Sequence, residues 1–364
     1  MSDEINTNLG GEILPPPNNT PGPEDDLIAQ AEKKKTCKKM RRCFNSCGWA
    51  LFTMMCCWLT ASGFVITIIR ALDGVGIPAY DFYVKYYMVF NELTLGIGIL
   101  IAWLVLSTSP KSQFQKQKFS FGNFMLLFPI CIAMGYVGNF ISNIFITFWN
   151  VFTGNSVTNE VSELIMDTDI WVIFLFVGII GPILEELFFR KLLIDRLRPY
   201  GELASILVSA VFFAFFHMNF SQLLYAFGVG LILGYLYYRS GNFVLTVALH
   251  ALFNILMSAV QMLLYEPVME YYAKVATITE ESEMYALLSE YLVPLALYGI
   301  YLLAIFALVI VGIVFFCINI RKFKPQKSEL ALEKKDYRSA LFKSSGMIAA
   351  TVILLVLTIS SLFS

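Results

Sequence analysis

Charge is scarce in this chain. Asp, Glu, Lys and Arg supply 15% of its 364 residues, against 57% hydrophobic residues and a mean hydropathy of +0.68. That balance excludes an ordinary soluble globular domain, which carries about 25% charged residues. Histidine is scarcer still, with only His217 and His250. The seven cysteines lack CxxC pairs and mostly cluster in or beside the first apolar run, so neither a structural zinc module nor a secreted disulfide framework is indicated. They are read as reduced or buried thiols. No HExxH helix is present, and no internal repeat of solenoid or transporter type stands out. A signal peptide is also lacking, because no cleavable pattern of small residues ends the first apolar run.

What the chain has instead is long apolar runs. They lie at about 48–69, 88–106, 122–148, 170–189, 203–218, 221–238, 243–264, 291–320 and 346–363. A hydrocarbon core of about 30 Å needs about 20 apolar residues per crossing. The expected fold is therefore an all-α polytopic membrane bundle of about eight to nine transmembrane helices. Residues 1–44 are expected to form a disordered cytosolic tail, since ILPPPNNTPGPEDD cannot bury enough apolar surface to fold. That tail ends in the basic cluster KKKTCKKMRR, residues 33–42. The cluster reads as a topology signal and a contact to anionic lipid heads, not as a nucleic-acid site. A membrane domain follows over 45–320, then a basic segment and an extra apolar helix over 321–364.

The charge of the connections alternates. Lys111, Lys116 and Lys118 follow the second run, Arg190, Lys191, Arg196 and Arg198 the fourth, Arg239 the sixth, and Arg321, Lys322, Lys324 and Lys327 the eighth. The intervening connections are acidic, with Glu160, Glu163, Asp167 and Asp169 in one and Glu266, Glu270, Glu280, Glu281, Glu283 and Glu290 in another. This pattern predicts a multi-pass protein of the cell membrane with its N-terminus cytoplasmic.

Against that apolar background, GPILEELFFRKLL, residues 181–193, is out of place. Ionisable groups inside a membrane helix cost several kcal/mol and usually pair or face a wet cavity. Glu186 and Arg190 are four residues apart with the acid first, the favourable order for an ion pair on one helix face. Glu185 then points about 100° away and is left for other work. Gly181-Pro182 is expected to kink the helix just before the acids. The segment also admits a plain reading, a helix end whose basic residues reach the interface.

The two histidines weigh against that plain reading. His217 has Phe213 one turn before it, and His250 has Asn254 one turn after it, each pair in its own apolar run. A carboxylate and a histidine can activate water, while a second histidine and an amide can donate to an oxyanion. Zinc held by Glu185, His217 and His250 is the competing arrangement.

These residues resemble a known family, the CAAX-type intramembrane endopeptidases and their bacterial CPBP or abortive-infection relatives. Its EExxxR motif matches Glu185, Glu186 and Arg190, its FxxxH motif Phe213 and His217, and its HxxxN motif His250 and Asn254. The glycine-dotted run 223–254, with its Arg-Ser-Gly-Asn turn, is similar as well, so the resemblance covers about 170–262. It implies that Glu185 activates water with His217, that His250 and Asn254 stabilise the oxyanion, and that Glu186, Arg190 and Phe213 support them. No cofactor is favoured, and the motifs leave zinc open. Lys191 stands where the family often has glycine. The implied substrate is a membrane-associated peptide or lipidated protein, with membrane lipid as the other partner. A non-catalytic membrane partner or small transporter is the alternative. Counting residues puts His250 near the cytosolic end of its helix, and the cavity is expected to open to the cytosol.

Overall fold

The computed structural model describes residues 23–110, 118–154, 157, 168–326, 330 and 332–363. Residues 1–22 of the tail and the charged positions Lys111, Lys116, Glu160, Glu163, Asp167 and Lys327 lie outside them. Eleven helices account for nearly all of the described chain: α1 (Pro23–Gly74), α2 (Ala79–Lys85), α3 (Tyr87–Leu106), α4 (Phe121–Thr153), α5 (Ile170–Tyr200), α6 (Glu202–Phe216), α7 (Phe220–Ser240), α8 (Phe243–Val275), α9 (Glu281–Asn319), α10 (Lys334–Phe342) and α11 (Ser345–Ser360). No strand occurs among the described residues.

All nine apolar runs are helical, yet not all are long enough to cross. Seven helices, α1, α3, α4, α5, α7, α8 and α9, have the length and apolarity of a span, and α10 with α11 makes an eighth if their 68° bend is counted as one crossing. The run at 203–218 becomes α6, with 15 residues. At 1.5 Å per residue that is about 22 Å, less than the hydrocarbon thickness. Local chemistry sets the boundaries. Ser120 caps α4 by accepting from the Asn123 N–H, Asn242 caps α8 by accepting from the Leu245 N–H, and Gly154 and Gly241 end α4 and α7 with φ of 70° and 61°.

Two expectations change. The tail was expected to stay unfolded through residue 44, but α1 starts at Pro23 and runs unbroken into the first span. Its inner face explains why: Met40, Phe44 and Cys47 are buried, and Lys33 pairs with Glu333 at the start of α10. Tertiary contact thus supplies what composition lacks. The C-terminal segment is likewise more than an appendage. The Gly346 N–H donates to Asn45 at 2.9 Å, Trp149 Nε1 donates to the Leu362 carbonyl at 3.0 Å, and the Phe220 N–H donates to Ser361 at 3.1 Å.

The bundle holds two apolar cores. One joins α1, α3, the second half of α5, α6 and α11; the other joins α4, α7, α8 and α9. Lipid offers helices no hydrophobic reason to associate, so close approach at small residues carries much of the packing. Gly48 faces the backbone of Gly346 where α1 crosses α11, and Gly312 of α9 lies directly on the Pro129 carbonyl of α4. Gly312→Val should therefore destabilise the detergent-solubilised protein by about 1–3 kcal/mol. Gly299→Val on the same helix, where a side chain would meet nothing, should leave the thermal midpoint unchanged. Equal effects of the two variants would contradict this packing.

Candidate active site

The candidate residues meet where the two cores join. Glu186 and Arg190 of α5 are fully buried and pair at 3.0 Å between Oε2 and Nε. This is the ion pair the four-residue spacing predicts. The guanidinium also donates from Nη1 to Ser209 of α6 at 3.2 Å and lies over the Phe213 ring, 4.9 Å from its centroid. The other Glu186 oxygen, Oε1, is 3.0 Å from Nδ1 of His250 on α8. That second partner was not foreseen. It fixes the imidazole so that Nε2 faces Glu185, 3.6 Å from its Oε2.

His217 is held by the way α6 ends. Its own N–H bonds the Ala214 carbonyl, which leaves the Phe213 carbonyl without the usual helical donor. His217 Nδ1 fills that position at 2.9 Å. Nδ1 is thereby the protonated nitrogen, and Nε2 keeps its lone pair. Met218 follows with φ of 50°, turning the chain directly into α7. The edges of Phe213, Phe216 and Tyr225 surround the ring.

Asn254 is placed by a backbone defect. The expected kink at Gly181-Pro182 is instead absorbed by π-helical turns at Ile173–Ile180 and Leu187–Ile194, on either side of Gly181–Glu186. In the first of these the Gly181 N–H bonds the Phe176 carbonyl, five residues back. Continued by one residue, the pattern would bond Val177 to the N–H of residue 182, but proline has none. Asn254 Nδ2 donates to the stranded Val177 carbonyl at 3.0 Å.

Glu185, Phe213, His217, His250 and Asn254 all line one cavity of about 490 Å³. Such a volume lies within the range of small-ligand sites. Glu186 and Arg190 do not line it; they sit behind its wall. Lys191 points elsewhere, half exposed and paired with Asp195 at 3.1 Å. Among the described residues no three His, Cys, Asp or Glu side chains are grouped so as to hold a metal ion. No step below runs through a metal.

The cavity extends past the motif residues. Its wall includes Met88 in the first turn of α3, Gln222 in the first turn of α7, and the exposed Asn139 and Gln261. These positions belong to the end of the bundle away from the basic connections. Helices α6 and α7 meet at His217.

Glu92, outside all three motifs, also lines the cavity. Glu92 of α3 is 9% exposed, its Oε2 is buried without a hydrogen-bond partner, and its Oε1 has only a 3.4 Å contact with the neighbouring Asn91. The signal was available: it is the single charged residue of a 20-residue apolar helix.

The comparisons with known proteins agree with this geometry. Residues 167–256 match the family described as type II CAAX prenyl endopeptidase, Rce1-like. That segment is similar to the Rce1-like family. That match covers a quarter of the chain and contains every motif residue named above. No curated protein and no solved structure matches the chain. The Rce1-like core and the apolar helices make this a multi-pass membrane protein with a CAAX-protease-type centre that implies membrane-associated substrates. Of the helices before the matched segment, α3 and α4 add Met88, Glu92, Gly135, Tyr136 and Asn139 to the cavity wall.

An unpaired buried carboxylate is destabilising, so Glu92 marks a conflict between stability and use. Glu92→Gln should raise the thermal midpoint in detergent, by a gain of about 1 kcal/mol, and lower any cleavage activity. A fall in the midpoint would show that Glu92 is a structural group.

Proposed function

We propose that the protein is an intramembrane endopeptidase that hydrolyses a peptide bond of a membrane-associated or lipidated peptide or protein. The observation that carries this reading is the shared cavity: Glu185, His217, His250 and Asn254 come from three helices and face one space. A water molecule in that space would lose its proton to Glu185, with His217 Nε2 as the second acceptor. The hydroxide then adds to the scissile carbonyl. His250, held at Nδ1 by Glu186, presents Nε2 to the resulting oxyanion as a donor when the ring carries both protons. Asn254 has two N–H bonds on its amide, one engaged by Val177 and the second available to the same oxygen. Collapse of the tetrahedral intermediate expels the amine, which takes back the proton held by the acid.

Glu186, Arg190 and Phe213 act through the others. They hold His250 and His217 in place, Glu186 and Arg190 from behind the cavity wall and Phe213 from within it. The apolar wall limits competing water, and a preorganised donor set is worth more there than in bulk solvent.

The test compares the peptide termini found in membranes containing the wild-type protein with those in membranes containing Glu185→Gln. At least one new terminus should depend on the wild type, and its yield should fall on the order of 10²–10⁴-fold in the variant. An identical set of termini at equal abundance would remove the peptidase reading.

A further inference from the structure

Two carboxylates share the cavity, and no cation on its wall answers them. Glu92 and Glu185 both line it, while among the described residues of the wall none is Lys or Arg. Arg190 is committed to Glu186 behind the wall. The two histidines are engaged as well, His217 at Nδ1 by the Phe213 carbonyl and His250 at Nδ1 by Glu186. Glu92 Oε2 and Glu185 Oε2 are therefore left buried with no hydrogen-bond partner. Glu185 Oε2 at least has His250 Nε2 at 3.6 Å, and the proposed function gives it work on water. Glu92 has only the 3.4 Å contact of Asn91 on its other oxygen, and the hydrolytic steps give it no task.

Glu92 is also aimed at the reacting part of the cavity. Its Oε1 lies against Gly181 of α5, where an added Cβ would sit 3.4 Å from it and 3.1 Å from the Phe176 carbonyl. Gly181 lines the same cavity. It precedes Glu185 by four residues on one helix face, a rise of about 6 Å. With no side chain at 181, the Glu92 carboxylate comes directly against the α5 backbone, one turn from Glu185. The rest of the wall suits a charged group on an apolar stem. Tyr136, Tyr225 and Tyr265 supply aromatic surface, which attracts cations, and Met88 and Met257 supply adaptable apolar contact. A buried carboxylate without a partner is costly, and a second carboxylate in the same low-dielectric space raises that cost. Both costs are relieved when a cation that carries its own N–H donors enters.

We propose that Glu92 is a recognition residue for a cationic group of the substrate, an ammonium or guanidinium carried close to the scissile bond. That the cation belongs to a peptide being cut rests on the proposed function; that the cavity selects a cation rests on Glu92 and the wall around it. The geometry limits where the charge sits. An extended peptide advances about 3.3 Å per residue, so the rise of about 6 Å from Gly181 to Glu185 corresponds to about two residues. A lysine or arginine within that distance of the cleaved bond would put its charge on Glu92 while Glu185 addresses the water. A free peptide amine at the same distance offers the same chemistry.

Binding, measured separately from cleavage, tests the inference. Three photoreactive peptides of one alanine-leucine sequence are crosslinked to the wild-type protein in uncharged detergent. The first has an acetylated N-terminus and a single lysine, the second is acetylated with norleucine in place of the lysine, and the third has norleucine and a free N-terminal amine. A cationic peptide should label on the order of 10-fold better than the uncharged second peptide. Preference for the first assigns the cation to a side chain, and preference for the third assigns it to the N-terminus. Glu92→Gln keeps the shape and loses the charge, and the preference should fall to parity there. Equal labelling by all three peptides in the wild type, as expected of an ordinary neutral core carboxyl, would overturn the inference, and so would a preference that survives Glu92→Gln. Cation-selective labelling with no peptide terminus dependent on Glu185 would remove the peptidase reading and leave Glu92 a cation site, whereas Glu185-dependent termini with equal labelling would do the reverse.

Discussion

The buried pair of Glu186 and Arg190 is the interaction on which the rest of the site depends. Neither side chain has any exposure, and each is tied to a second helix: Arg190 to Ser209 and the Phe213 ring, Glu186 to His250. Removing one member of such a pair strands the other in a medium that cannot solvate it, at about 3–5 kcal/mol. The pair therefore fixes how α5, α6 and α8 sit against one another. Because it is shut away from the cavity, its charge balances the neighbouring polar groups without competing for substrate. Glu185, one residue earlier and about 100° around the helix, faces the cavity.

Backbone irregularity does the remaining positioning. Pro182 leaves the Val177 carbonyl without its donor, and Asn254 supplies one. The short terminal turn of α6 leaves the Phe213 carbonyl unpaired, and His217 supplies a donor there. In both cases an orphaned carbonyl orients a side chain, and in both the free atoms of that side chain end up on the cavity. Sites built this way are rigid because a buried carbonyl left unpaired costs about as much as the lost bond itself. The helices outside the Rce1-like core serve the same end, α3 by contributing Glu92 and α4 by closing the cavity against α7 and α8.

Much of this was legible in the sequence, for definable reasons. Helical spacing gives the Glu186–Arg190 pair directly, and the rarity of histidine singles out His217 and His250. The contact between His250 and Glu186 spans 64 positions along the chain, and nothing local encodes it. The order in residues 23–44 was hidden because it comes from packing against α10 and α11, not from the composition of the segment. Glu92 is visible in the sequence as the single charge of an apolar run, but only the fold shows that it lines the same cavity as Glu185.

The 3.0 Å contact between Glu186 and His250 predicts that the two act as one unit. The most direct measurement is a double-mutant cycle on the cleavage product, using Glu186→Gln, His250→Gln and the double variant, all checked for equal folding. If the two residues work as a unit, the double variant should lose no more activity than the worse single variant, as interacting catalytic residues do. Losses that multiply across the two substitutions would mean that they act independently, and would contradict the account.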